Sequence, residues 1–486
     1  MFNLAAHVLH AAETRPEHIA LEIAGGETLR YGDLAGRVRG IAAGLRDLGL
    51  APGDRVLMRL GNTLDFPLAY LGAIAADLIP IPTSSALTAR EVTRIAQDTR
   101  PALVIHGDGP ALPETDTPRL PATRLREMEH LRPADYVLGD PERPAYIIYT
   151  SGTSGQPRAV VHAHRAILAR RMMWDGWYGL RADDRLMHAG AFNWTYTLGT
   201  GLMDPWSAGA TALIPAPDTA PEALPDLIAQ TRATLFAAAP GVYRRLLRAP
   251  VPALTHLRHG LSAGEKLPST LRRAWEVATG TPIHEAFGMS ECSTFISGSP
   301  ARPAPGGALG YPQPGRRIAL IDGQGEADHG VIAIHRSDPG LMLGYLDQPE
   351  ETAQKFLGDW FLTGDMGHRD ASGAIHYDGR ADDMMNAGGT RVSPVEVEDV
   401  LTAHPAITEV ACAEARLRDD LSLIAAFYVA PDVIHEDELT AFARQGLASY
   451  KVPRIWVRVD VLPRGANNKL LRAQLRRDWE ARHGQA

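Results

Sequence analysis

The most chemically suggestive feature of the chain is a strand-like run that leads into a dense set of hydroxyls and glycines. In YIIYTSGTSGQPRAVVHAH (residues 146–164), Tyr146–Tyr149 precede Thr150, Ser151, Gly152, Thr153, Ser154 and Gly155, and Arg158 follows. Glycines let backbone N–H groups close around an anion, hydroxyls add donors, and the guanidinium adds charge, so the segment suits a phosphate. Its spacing is not that of the GxxxxGK[ST] loop. His162 and His164 follow with no third ligand nearby, which reads as structural or substrate-side histidine rather than a metal pair. The only cysteines, Cys292 and Cys412, are far apart and outside any CxxC pair, the pattern of buried thiols in a reducing compartment.

These residues need a scaffold, and the first half of the chain alternates helical and strand-like patterns. Leu34 to Gly49 carries apolar residues at helical spacing and ends on glycine. DRVLMRL and PALVIHG read as short strands around a helical stretch that starts near Leu64. The pattern returns in IAQTRATLFAAAP, RHGLSAGE and TPIHEAFG, which implies an α/β fold with two parallel sheets covered by helices. Residues 108–140 lack periodicity and read as a surface connection. From about residue 315, RRIALID, GVIAIHR and AIHYDGR suggest a small antiparallel or β-barrel-like subdomain. After Arg380 the pattern becomes that of a compact α+β unit, which divides the chain into a large N-terminal domain, 1–380, and a small C-terminal domain, 381–486.

With 486 residues, two or more domains are expected at roughly 100–200 residues each. Charged residues are 22% and hydrophobic ones 45%, an ordinary globular balance. The formal charge of −8 gives little reason to expect a nucleic acid as partner. The N-terminus lacks a basic leader and apolar core, and the most apolar stretch, Phe66 to Pro82, is broken by Asp77 and prolines. No membrane span and a cytoplasmic location are therefore expected.

Taken together, the ordered motifs resemble the acyl-CoA synthetase, adenylation-domain and luciferase superfamily of adenylate-forming enzymes, closest to benzoate or medium-chain acyl-CoA ligases. The family's phosphate loop has lysine and glycine where this chain has Arg158 and Ala159; arginine keeps the charge. EAFGMSE (285–291) resembles the family segment that lines the nucleotide, implying nucleotide contacts at Glu285, Ala286, Phe287, Gly288 and Met289. The resemblance places α-phosphate contact on Ser290 and magnesium on Glu291. SAGEKLP (262–268) resembles the adenine-side loop, with Gly264, Glu265 and Lys266 along the base. Asp365 in WFLTGDMG and Arg380 in YDGRADD match the ribose contacts. In LPRGANNKLLR, Lys469 matches the catalytic lysine of the mobile domain, and Asp382 matches the hinge. NAGGTRVSPVEVEDVL (386–401) resembles the loop that enters the site for thioester formation; Gly388 and Gly389 would pass the CoA arm and Arg391 would contact phosphate.

The implied reaction has two steps, with ATP, Mg2+ and CoA required and Ser290, Glu291, Arg158 and Lys469 catalytic. A carboxylate oxygen attacks the α-phosphate of ATP and pyrophosphate leaves; a thiol then attacks the acyl carbon and AMP leaves. Free CoA is the expected acceptor, because the sequence ends soon after Lys469 without a carrier domain. A stand-alone enzyme that loads a carrier-protein thiol is the alternative, and a non-catalytic sensor a more distant one. Asn193 after Phe192 lacks the carboxylate that amino-acid-activating relatives use, and Gly288 replaces the tryptophan of acetate-specific ones. Phe192, Asn193, Trp194 and Gly288 are thus the expected acyl pocket, for a benzoate-like acid or a medium-chain one. A homodimer is compatible with the resemblance but not required by it.

Overall fold

The computed structural model describes residues 1–150, 158–216, 219–323, 325–381, 383–387, 390–418, 421–464 and 470–483. The chain forms two compact units, Met1–Arg317 with Arg336–Phe356, and Ile318–His335 with Leu357–Ala486.

In the first unit, a parallel run of strands is ordered Ile283–Met289, His259–Ala263, Leu235–Ala238, Arg185–Ala189, Thr211–Ile214 and Ile19–Ile23. Antiparallel strands flank it: Ser293–Ser297 at one side and Thr28–Arg30 at the other. A second, 4-stranded parallel sheet is ordered Ile79–Pro82, Arg55–Arg59, Leu103–His106, Arg119–Pro121. The α/β expectation of two parallel sheets is met. A 3-stranded antiparallel sheet orders Gly344–Tyr345, Arg158–Ala163 and Pro144–Thr150.

The apolar stretch from Phe66 is a helix, Asp65–Ala75, buried along its whole length, and the buried strand that follows it. A helix that is apolar on every side belongs inside a large core. It packs on the helix Tyr31–Asp47, where a Cβ on Gly72 would lie 2.5 Å from Ile41. Each large apolar side chain sealed there, such as Ile41 or Phe66, stabilises the unit by about 1.5–3 kcal/mol. The same helix carries Tyr70 inward, with consequences below.

Residues 108–140 are more ordered than their sequence implies. They contain the strand Arg119–Pro121 and the helix Ala122–Met128, whose Met128 packs against Gly44. Both elements are too short to show a period in sequence.

In the second unit, Ile318–Ile321, His329–His335, Trp360–Arg369 and Ile375–Arg380 pair antiparallel in that order. The expected barrel-like closure is not found among the described residues, since Ile318–Ile321 pairs on one side only. So few strands cannot close around a packed interior. A 3-stranded sheet, Glu409–Arg418, Leu421–Val429 and Ile455–Arg458, follows. Alternation sends Val410 and Cys412 to one core and Ala411, Ala413 and Ala415 to the other, so both faces are covered.

Candidate active site

The hairpin that bears the phosphate-loop sequence pairs Thr150 with Arg158 across its strands. Ser151, Gly152, Thr153, Ser154 and Gly155 lie outside the described residues, as does the side chain of Thr150. Arg158 is well placed. It forms an ion pair with Glu351 and lies over the Tyr345 ring, 5.2 Å from the centroid. Tyr345 is set beside it by pairing with Val160. The Tyr345 hydroxyl donates to Glu291 Oε1 at 2.8 Å. Burial, and then the Glu291 carboxylate, push the Tyr345 hydroxyl well above its ordinary range, so it remains a donor. Glu291 is thereby oriented through one oxygen, and its other oxygen has no partner among the described residues. That is a geometry suited to a hard cation, which takes oxygen ligands and keeps water or phosphate in its remaining positions.

Ser290 and Glu291 follow the strand Ile283–Met289, whose Gly288 lies opposite Thr294 at a register shift. A Cβ at Gly288 would sit 2.3 Å from the Ser293 carbonyl oxygen. The glycine therefore admits the neighbouring strand's backbone, and the space beside it is filled by protein rather than left open for substrate. Glu285 is 7% exposed and accepts from the Leu267 N–H at 2.9 Å and from Arg272 at 3.1 Å. It thus pins the end of the loop that carries Gly264, Glu265 and Lys266. Gly264 has φ +95°, and a Cβ there would lie 2.5 Å from the Trp194 ring, so Trp194 is seated on this loop. Ala286 is buried, and Phe287 meets Phe295 edge-on at 5.5 Å, with Met289 at the strand end.

Among the expected acyl-pocket residues, Phe192 is 2% exposed and packs against Phe66 within the core, with its N–H bonded to Asn62. Asn193 and Trp194 are half-buried, Trp194 edge-on to Tyr196. A small cavity of about 20 Å3, room for about one water or a group of that size, lies close by in the chain, lined by their neighbours Thr195 and Leu198. Tyr70, Tyr146, His162, Arg170, Ser290 and Ser293 also line it. Arg170 holds Asp204 through two bonds, 2.7 and 2.6 Å, and also donates to Ser293 at 2.6 Å. Burial opposes its charge, and the Asp204 carboxylate outweighs that opposition. The guanidinium fits because Gly199, in the π-helical turn Thr197–Met203, has no Cβ; one there would lie 2.2 Å from it. His162 Nε2 lies 2.7 Å from the Ser290 carbonyl oxygen, and His164 Nδ1 accepts from the Leu4 N–H, so the two histidines serve separate parts of the fold.

In the second unit Asp365 and Arg380 are directly opposed across two strands. Asp365 accepts from Arg380 at 3.3 Å and from the Tyr377 hydroxyl at 3.1 Å, and is 7% exposed. Gly364, at φ +80°, lets the guanidinium cross; a Cβ would lie 2.8 Å from it. Arg391 pairs with Asn386 in the hairpin of Met385–Ala387 and Thr390–Val392, but its side chain is outside the description. Gly388, Gly389, Asp382 and Lys469 also lie outside the described residues. Among the described residues no group of three His, Cys, Asp or Glu is placed to hold a metal, and no helix is long and apolar enough to cross a membrane.

Tyr345, Tyr377, Tyr70 and the Arg170–Asp204 pair were not singled out by sequence. Tyr345, Tyr377 and Arg170 meet partners distant in the chain, and Tyr70 lies on a helix apolar on every side, so no local pattern marks any of them.

The fold is that of adenylate-forming enzymes, as comparison with known proteins shows. The AMP-binding enzyme family matches residues 8–346 and the AMP-binding enzyme C-terminal domain matches 396–469; the chain belongs to this family. It is 32% identical to a benzoate–CoA ligase of Thauera aromatica, over 92% of this chain and 90% of that protein. It is 30% identical to a 3-hydroxybenzoate–CoA ligase of Aromatoleum sp. (strain CIB), over 93% and 92%. Among solved structures, a benzoate CoA ligase from Burkholderia xenovorans LB400 matches with TM-score 0.86 and 30% identity, covering 98% of this chain and 100% of that one.

Proposed function

We propose that the protein is an AMP-forming carboxylic acid:CoA ligase for an aromatic, benzoate-like acid. The observation that carries this reading is the linked set Arg158, Tyr345 and Glu291 beside Ser290, in a chain whose family match spans both domains. The relatives named above act on benzoate and 3-hydroxybenzoate, which supports an aromatic acid. A medium-chain acid is the second reading; the chain is also 29% identical to a human mitochondrial acyl-coenzyme A synthetase.

The first step brings a carboxylate against a phosphate, so its difficulty is the meeting of two anions. Arg158 would exchange Glu351 for phosphate oxygens, and the Ser290 hydroxyl would donate to the α-phosphate. Mg2+, held through the unpaired oxygen of Glu291, would neutralise the phosphate charge. Asp365, oriented by Tyr377 and Arg380, would accept from the ribose hydroxyls, and the loop from Gly264 to Lys266 would lie along adenine. Lys469 would approach the forming bond. Catalysis on this account is positioning and electrostatics, without a covalent enzyme intermediate. In the second step the CoA thiolate attacks the acyl carbon and AMP leaves. Rotation of residues 381–486 about Asp382 would bring the hairpin near Gly388 and Gly389 to the site.

Acid-dependent exchange of labelled pyrophosphate into ATP tests the first step. Exchange with benzoates supports the reading, and exchange with none of a panel of benzoates, fatty acids and amino acids would overturn it.

A further inference from the structure

The cavity beside Ser290 is lined by polar atoms that the protein itself does not satisfy. Tyr70 is 0% exposed and its hydroxyl has no hydrogen-bond partner among the described residues; His162 is 2% exposed and its Nδ1 has none. Arg170 uses Nε, both N–H groups of Nη2, and one N–H of Nη1 on Asp204, Thr200 and Ser293, which leaves one Nη1 N–H. A buried polar group without a partner costs about 1–3 kcal/mol. Several around one space indicate that something else fills the roles.

Their polarity defines what fits. The Ser290 carbonyl can only accept, so the proton on His162 is at Nε2 and Nδ1 presents a lone pair. Burial lowers the His162 pKa to about 4, which keeps that tautomer neutral at ordinary pH. Beside Thr195 and Ser290, whose hydroxyls can serve either role, these atoms give one acceptor and two donors. A hydroxyl donates one hydrogen and accepts two, and matches it. A carboxylate only accepts and would face the Nδ1 lone pair. An ammonium would face the Arg170 charge. A methyl or halogen would leave every group unmatched. The remaining lining mixes the apolar Ile148, Leu198 and Met203 with Thr195, Ser290 and Ser293, and Tyr146 stacks on the His162 ring at 4.8 Å.

We propose that this cavity selects a hydroxyl substituent on the carboxylic acid, with Tyr70 and Arg170 donating to its oxygen and His162 Nδ1 accepting its hydrogen. This rests on the ligase reading, because Ser290 shares the lining. The substrate class narrows from benzoates in general to hydroxylated ones.

The test compares benzoate with 3- and 4-hydroxybenzoate in the full-length protein and in Tyr70→Phe, which removes one oxygen and keeps the ring. Binding is measured by calorimetry and turnover as kcat/KM for acyl-CoA formation. Thermal unfolding checks that the variant is folded. At least one hydroxybenzoate should exceed benzoate by about tenfold or more in the parent protein, and Tyr70→Phe should remove most of that ratio. Equal values for the three acids, or a ratio that survives Tyr70→Phe, would overturn the proposal; a structural water held by the same atoms would give that second result. Hydroxyl-dependent binding without acyl-CoA formation from any acid would sustain the site and reject the ligase reading.

Discussion

Acidification should unfold the larger unit well before ordinary acid denaturation. Five histidines in it are buried and neutral: burial is the main cause that lowers His162 and His284 to about 4, and His164, His188 and His259 to about 3. In the unfolded chain each titrates near 6.5. Between these values the unfolded state binds more protons, so stability is fully present above pH 6.5 and is lost as pH falls toward 4 and 3. By pH 5 each histidine has withdrawn about 2 kcal/mol, and the five together about 10 kcal/mol as an upper figure. That is comparable with the 5–15 kcal/mol that holds a typical domain together. The fully buried Trp177, Trp206 and Trp275 all lie in this unit and report its unfolding by fluorescence. Urea midpoints should fall steadily from pH 7 to 5, with the steepest loss below 6.5. A midpoint that stays flat across that range would refute the reasoning, because it would mean that these rings are protonated in the native fold or already shielded in the unfolded one.

Gly288→Ala should lower stability by about 1–3 kcal/mol in urea unfolding, since its Cβ meets the backbone of Ser293, and should leave the preference among acids unchanged. Glu351→Gln frees Arg158 from its ion pair, and should lower the KM for ATP by about two- to fivefold with kcat little altered. Lys469→Ala should reduce pyrophosphate exchange by at least about a hundredfold yet retain thioester formation from supplied acyl-AMP, measured by single-turnover kinetics.

What the sequence disclosed was local chemistry and the period of its longer elements. DRVLMRL, PALVIHG and TPIHEAFG were legible as strands because each is a short apolar run closed by a turn. Asp365 and Arg380 were legible only through the resemblance, and their opposed positions across two strands are a finding of the structure. Partners distant in the chain were not legible. Nothing near Glu291 announces Tyr345, and Arg170 looks like any arginine on an amphipathic helix until Asp204 and the missing side chain of Gly199 bring it inside. Gly288 shows the converse: a small residue read as room for substrate is small because another strand's backbone is there. The barrel-like expectation failed because alternating runs specify pairing but not closure.

The most direct test of the account is to incubate the protein with ATP, Mg2+, CoA and a benzoate, and to quantify nucleotide and thioester together. The account predicts AMP and aroyl-CoA in equal amounts, with both absent when the acid is omitted. ADP as the nucleotide product, or AMP without a matching thioester, would contradict it.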